Sequence, residues 1–170
     1  VRVLSSFEPG SGTLILQEEE GMEDAVITGI ASQQDQTKFT LHGVADTPGI
    51  ASGILSPISD EGIEVDVIVQ NVSVSNKTDF TFTVATIDRS RVEAVLNEKM
   101  KGISYDELII DEGIGKVSLV GVGMRSTAGI ASSAFNALAD AGINIQMIST
   151  SEIKITIVVA ANQLEDAVRT

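Results

Sequence analysis

Residues 38–73 read KFTLHGVADTPGIASGILSPISDEGIEVDVIVQNVS, and residues 116–152 read KVSLVGVGMRSTAGIASSAFNALADAGINIQMISTSE. The second stretch repeats the first with two extra residues in its loop. Gly43 falls with Gly121, Gly49-Ile50-Ala51-Ser52 with Gly129-Ile130-Ala131-Ser132, Asp60 with Asp140, and Gly62-Ile63 with Gly142-Ile143. An offset of about 80 residues suits a duplicated small domain and is too long for a solenoid repeat. The chain therefore carries two copies of one module.

The hydrophobic period changes in the same order in both copies. Residues 39–44 and 117–122 are short β-branched runs ending in a loop, the pattern of a strand and turn. Ile50, Ile54, Leu55 and Ile58, mirrored by Ile130, Ala134, Phe135 and Leu138, then form one apolar helical stripe. Gly62 and Gly142 suit the left-handed residue that ends a helix. Pro57 removes a donor inside the first helix, so that helix is expected to be the less regular of the two. Second strands are predicted over residues 63–69 and 143–148, and third strands over 80–85 and 153–159. The first copy continues with a helix over 89–100 and a strand over 106–110. This βαββαβ order gives an α+β fold, two tandem ferredoxin-like modules with antiparallel sheets. The second copy begins its last helix at 163–170 and has no fourth strand of its own. A spare strand at 25–31 is expected to complete it, because an unpaired sheet edge is a liability. The domain plan is residues 1–24 as a linker, 25–112 as the first module, with 25–32 a candidate strand of the second, and 113–170 as the second module.

Composition narrows the function classes. The 170 residues carry a formal net charge of -13, which repels nucleic acid phosphates and anionic lipid. There is no cysteine, hence no disulfide framework or thiolate chemistry, which fits a cytoplasmic setting. The single histidine, His42, alternates with Leu41 on a strand-like run and reads as structural, so no metal site is expected. No apolar run approaches a membrane span, and the start lacks the pattern of a signal peptide. Neither a dinucleotide nor a phosphate-loop glycine pattern is complete. One histidine also gives a Ser-His-Asp nucleophile little support, so no catalytic residue is assigned.

Two features carry binding chemistry. The loop Asp46-Thr47-Pro48-Gly49 precedes the first apolar stripe, with Asp46 or Thr47 placed to cap the helix and Pro48 suited to its first position. A helix start also offers free amides to a carboxylate, so the loop reads either as ordinary capping or as an amino-acid site. Glu64, Asp66 and Gln70, with Asn144 and Gln146 in the second copy, read either as a solvated strand face or as the acceptors for an ammonium group. Arg125 is the cation of the second loop, suited to an effector carboxylate or to a surface ion pair.

Taken together, VADTPGIA, IEVDVIVQNVS, TDFTFTV, KVSLVGVGMRS and AGINIQMISTSEIKI resemble the paired ACT modules in the regulatory region of aspartate kinases. The resemblance runs from about residue 25 to the end, and residues 1–15 look like the exit from a kinase domain. It implies feedback control by threonine or lysine, bound where the first module of one chain meets the second module of a partner in a homodimer. On matching positions it points to Asp46, Thr47, Pro48, Gly49, Ile50, Ala51, Glu64, Val65, Asp66, Gln70, Asn144, Ile145, Ser151 and Glu152, with Ser73 and Thr78 nearby. Met124, Arg125 and Ser126 are secondary candidates. The family's KFGGTS start, which serves ATP and aspartate, is absent, so ATP and magnesium are expected to belong to a separate kinase domain or subunit. Thr127-Ala128 depart from the His-Pro or His-Ala often found before Gly129 in that family, which bears on effector preference. Two rivals remain: a dimerisation module of the same type that senses nothing, and a regulator of another amino-acid enzyme. A ferredoxin-like acyl-phosphate enzyme would need an arginine and an amide in an anion loop, and Arg125 alone does not supply that.

Overall fold

A computed structural model describes residues 2–3, 13–14, 27–72, 76–100, 102–121 and 129–170. Two short strands, β1 (Arg2–Val3) and β2 (Thr13–Leu14), pair with each other. The main body follows in the order β3 (Gly29–Ala45), α1 (Ile50–Asp60), β4 (Val65–Val72), β5 (Lys77–Ala85), α2 (Arg89–Lys99), β6 (Glu107–Val120), α3 (Ile130–Asp140), β7 (Met147–Thr150), β8 (Lys154–Ala160) and α4 (Leu164–Arg169). Strands β3 to β8 form one antiparallel sheet in the order β4-β5-β3-β6-β8-β7.

The two modules share the central strands of that sheet. The strand that opens the first module and the spare strand before it are one continuous strand of 17 residues, β3. Its start, Gly29 to Gln33, pairs with Val120 to Lys116 of β6 and so extends the second module's sheet. Its later part, Phe39 to His42, pairs with Ile110 to Glu107 in the first module. Strand β6 likewise joins the runs expected separately at 106–110 and 117–122, and the division drawn at residue 112 falls inside it. Residues 25–26 and 122 lie outside the described residues.

A bulged strand makes this sharing possible. The β3–β6 register shifts between Gln33 and Gln36 and again between Gln36 and Lys38, and Asp35 takes a left-handed φ of 56°. A bulge rotates which side chains face which side of a sheet. Ile30 therefore lines a groove of the second module, whereas Phe39 and Leu41 enter the first module's core.

Each module has its own helix-side core. In the first, Phe39 stacks on Phe82 at 5.4 Å and Phe80 tilts against Phe82 at 6.2 Å, over Ile54, Ile58, Val92 and Leu96. Burying each such side chain contributes roughly 1.5–3 kcal/mol. The second core uses smaller residues, Val117, Ile155, Ile157, Val159 and Leu138, and its α4 has 6 residues against 11 in α2. An apolar groove of about 400 Å³ stays open between α3 and α4, lined by Ile27, Ile30, Ala134, Ala137 and Ala167.

Further residues are buried on the opposite, helix-free side of the strands. Thr83 lies between Phe82 and Val84, Thr156 and Val158 alternate with Ile155, Ile157 and Val159, and Lys116 precedes Val117, yet all four are buried outside both helix-side cores. Each module thus covers part of the other's helix-free face.

The helix ends match the repeat. Gly62 (φ 69°) and Gly142 (φ 70°) follow α1 and α3, and their amides reach Ser59 O (2.8 Å) and Ala139 O (2.9 Å). The next amides, Ile63 and Ile143, return to Ile58 O and Leu138 O and bury those isoleucines beside the last helical turn. Pro57 does not shorten its helix. Helix α1 runs 11 residues with Pro57 inside it, the same length as α3.

Candidate functional site

The first strand-to-helix loop forms one wall of an open cleft of about 650 Å³. It leaves β3 at a second bulge, between Leu41 and Val44, where Gly43 takes φ 67°. The Gly43 amide donates to the Asp79 carboxylate at 3.0 Å, and the Asp46 amide to Asn76 O at 2.9 Å. His42 Nδ1 also lies 3.0 Å from Asp79. Asp79 is held below the ordinary carboxylate range, chiefly by the Gly43 amide and secondarily by His42. These contacts fix how the chain enters the cleft.

The helix start departs from the expected capping. Gly49, at φ 93°, is the N-cap of α1, and no side chain among the described residues caps the helix. Pro48 stands two residues before the first helical residue, inside a turn closed by the Ile50 amide on Thr47 O at 3.2 Å. Neither Asp46 nor Thr47 spends its side chain on the helix, since the left-handed glycine has already turned the chain. The first-turn residues Ile50, Ala51 and Ser52 line the cleft with Asp46, Thr47, Pro48 and Gly49, and Gln70 of β4 stands opposite. Free helix-start amides favour an anion, and the unspent Asp46 carboxylate and the Gln70 carboxamide can accept from a cation. Among the described residues, no group of three His, Cys, Asp or Glu side chains is disposed to hold a metal ion.

Models of the ACT domain match residues 40–101 and 117–170. The chain is 56% identical to an aspartate kinase of Pseudomonas fluorescens over 99% of its own length and 41% of that protein. Among solved structures, it is 43% identical to a chain in the crystal structure of aspartokinase alpha and beta subunits, covering 84% of this chain and 94% of that one at a TM-score of 0.78. The ligand-free regulatory subunit of aspartate kinase from Thermus thermophilus is 35% identical, with 85% and 95% covered at a TM-score of 0.79. The chain belongs to the aspartate kinase family. It is the tandem ACT regulatory region, and it spans about two fifths of the length of the curated relatives it matches.

In this aspartate kinase regulatory region, the residues singled out by sequence fall into several places. Asp46, Thr47, Pro48, Gly49, Ile50, Ala51 and Gln70 meet in the one cleft. Glu64 and Asp66 do not join them. They line a smaller hollow of about 220 Å³ with Gln33, Gln36, Asp88 and Lys116, where the Asp66 carboxylate pairs with the Lys116 ammonium. Val65 packs against the first core and Ile145 against the second. Thr78 is buried, its hydroxyl donating to Asn71 O at 2.5 Å, so it braces the strand that carries Gln70. Ser151 lines a third cleft with Asp66, Val67, Ile68, Ser149, Thr150 and Lys154, where the outer strands of the two modules approach. Asn144 and Glu152 are exposed in the second module. Ser73, Met124, Arg125 and Ser126 lie outside the described residues.

Sequence reasoning missed two kinds of residue. Ser52 lines the main cleft, and its signal was its place in the matched Gly49–Ser52 run. Lys38 and Lys116, the first letters of the two repeats, both reach across between modules.

Proposed function

We propose that this regulatory region senses end products of aspartate-derived amino-acid synthesis, binding threonine or lysine in the Asp46–Gln70 cleft and feeding back as inhibition of a kinase domain or subunit. The observation that carries the reading is the uncapped start of α1 facing Asp46 and Gln70 across one cleft. An α-carboxylate is received by the helix-start amides, and an α-ammonium by Asp46 and Gln70. ATP and magnesium belong to the catalytic partner, in the cytoplasm, and this chain contributes control. Inhibition requires that the effector bind the inhibited arrangement more tightly, by a coupling of about 1–3 kcal/mol.

Isothermal calorimetry with threonine, lysine and methionine tests the reading. Saturable heat with threonine or lysine is expected, and no heat with any of them sinks it. Effector binding should also raise the melting temperature by mass action.

A homodimer is part of the proposal, with the partner's second module closing the cleft. The outermost strands β4 and β7 present Ile68 and Ile148, 45% and 41% exposed and equivalent in the repeat, which suits an assembly surface. The same observation favours the rival reading of a module that only dimerises. Sedimentation showing a dimer, with no effector-dependent gain in melting temperature, would favour that rival.

A further inference from the structure

Lys38 and Lys116 occupy the same position in the repeat, and so do Asp66 and Gln146. Each lysine leaves its own module and ends on the second strand region of the other. The Lys38 ammonium donates to Gln146 Oε1 at 2.7 Å and lies 3.3 Å from Asp111, and the Lys116 ammonium pairs with Asp66. The two crossings are unequal. Lys116 is 2% exposed and meets a carboxylate, whereas Lys38 is 18% exposed and shares its charge between an amide and Asp111. A fully buried ammonium depends on its counter-charge more than a partly exposed one, because water does not replace a lost partner. Asp66 lies on β4, the strand that also carries Gln70 into the main cleft. Lys116 lies on β6, which pairs with β8 of the second module and with β3, common to both.

We propose that Lys116 is a positioning residue that makes the Asp46–Gln70 cleft and the second module one responsive unit. An effector that fixes β4 holds Asp66 in place, and Asp66 holds the buried Lys116 and with it the β6–β8 pairing. The consequence for regulation is that one filled cleft stiffens both modules. This inference rests on the reading of that cleft as an amino-acid site.

Hydrogen exchange on the whole chain, with and without saturating threonine or lysine, measures it. In the parent chain, the effector should slow exchange at least about fivefold in β4 and also in β8. Lys116→Met keeps the bulk of the side chain and leaves Asp66 to water. It should retain effector binding within about threefold and protection in β4, yet lose the gain in β8. Lys116→Arg should restore that gain. Lys38→Met, which breaks the weaker crossing, should keep it. Should Lys116→Met melt below the assay temperature, Lys116→Leu gives the same test, since it too buries no charge and leaves the half-exposed Asp66 to water, and it should also lose the gain in β8. Effector binding without any change in β8 of the parent chain overturns the inference and spares the sensing function. The inference also fails, with sensing intact, if Lys116→Met or Lys116→Leu transmits as well as the parent. Absence of saturable binding to the parent overturns both.

Discussion

The Asp79 carboxylate accepts the Gly43 amide at 3.0 Å, and this one contact ties the third strand of the first module to the bulge from which the Asp46 loop departs. Its effect on Asp79 is to hold the acid below its ordinary value of 3.8. A folded-state value depressed in this way contributes stability that is complete above the unfolded pKa and is lost as pH falls through the folded one. The melting temperature should therefore drop as pH is lowered below about 4, and Asp79→Asn should flatten part of that drop. Asp79 is half exposed, so screening limits the contribution to less than about 1 kcal/mol, or ~2–4 °C. Thermal melts of both proteins across pH 3 to 6, in steps of about half a unit, measure the difference.

Asp46 and Gln70 line the cleft without bracing the helix. Asp46→Ala and Gln70→Ala should each weaken effector binding by roughly tenfold or more, the loss expected for a hydrogen bond to a charged group. Neither should lower the melting temperature of the free chain by more than about 1–2 °C. Calorimetry and thermal melts on the same samples separate the two effects. A large loss of stability without a loss of affinity would contradict the assignment.

Gly43 cannot accept a side chain cheaply. Its φ is 67°, and an added Cβ would fall 2.0 Å from an Asp106 carboxylate oxygen that is itself paired with Lys77. Gly43→Ala should cost about 1–2 kcal/mol from the left-handed backbone alone. Displacing Asp106 adds less, because that side chain is exposed and can swing away. Denaturant titration should show a lower midpoint with an unchanged slope.

Pro57 sits inside a helix that runs through it. Pro57→Ala returns a donor and should stabilise the chain by about 1–2 kcal/mol, less than the full cost of an interior proline because the helix is already formed around it. A fall in melting temperature would mean instead that α1 depends on the proline.

Much of this molecule could be read from its letters, and the parts that could not share a physical cause. The stripe of Ile50, Ile54 and Ile58 and the alternation of Phe80, Phe82 and Val84 signal local periodicity, and those residues form the first core. Gly62 and Gly142 mark helix ends through their backbone freedom, and they end helices. The continuity of β3 was hidden because the bulge around Asp35 resets the alternation, so one strand looks like two. Pro48 and Asp46 were misread as helix-start residues because Gly49 turns the chain before either can cap it. Glu64 and Asp66 lie only a few letters from Gln70, yet the register of β4 shifts between Val65 and Ile68, and Asp66 meets Lys116, 50 positions along the chain. Linear spacing holds no record of such a partner.

The shared strands also bear on how the protein is made. Residues 29–33 leave the ribosome before the whole first module, but their partners at 116–120 follow after it. The second module therefore cannot close its sheet until the first has been synthesised. During that interval the start of β3 lacks its β6 partner. A cut anywhere between the two repeats would leave both halves with a torn sheet.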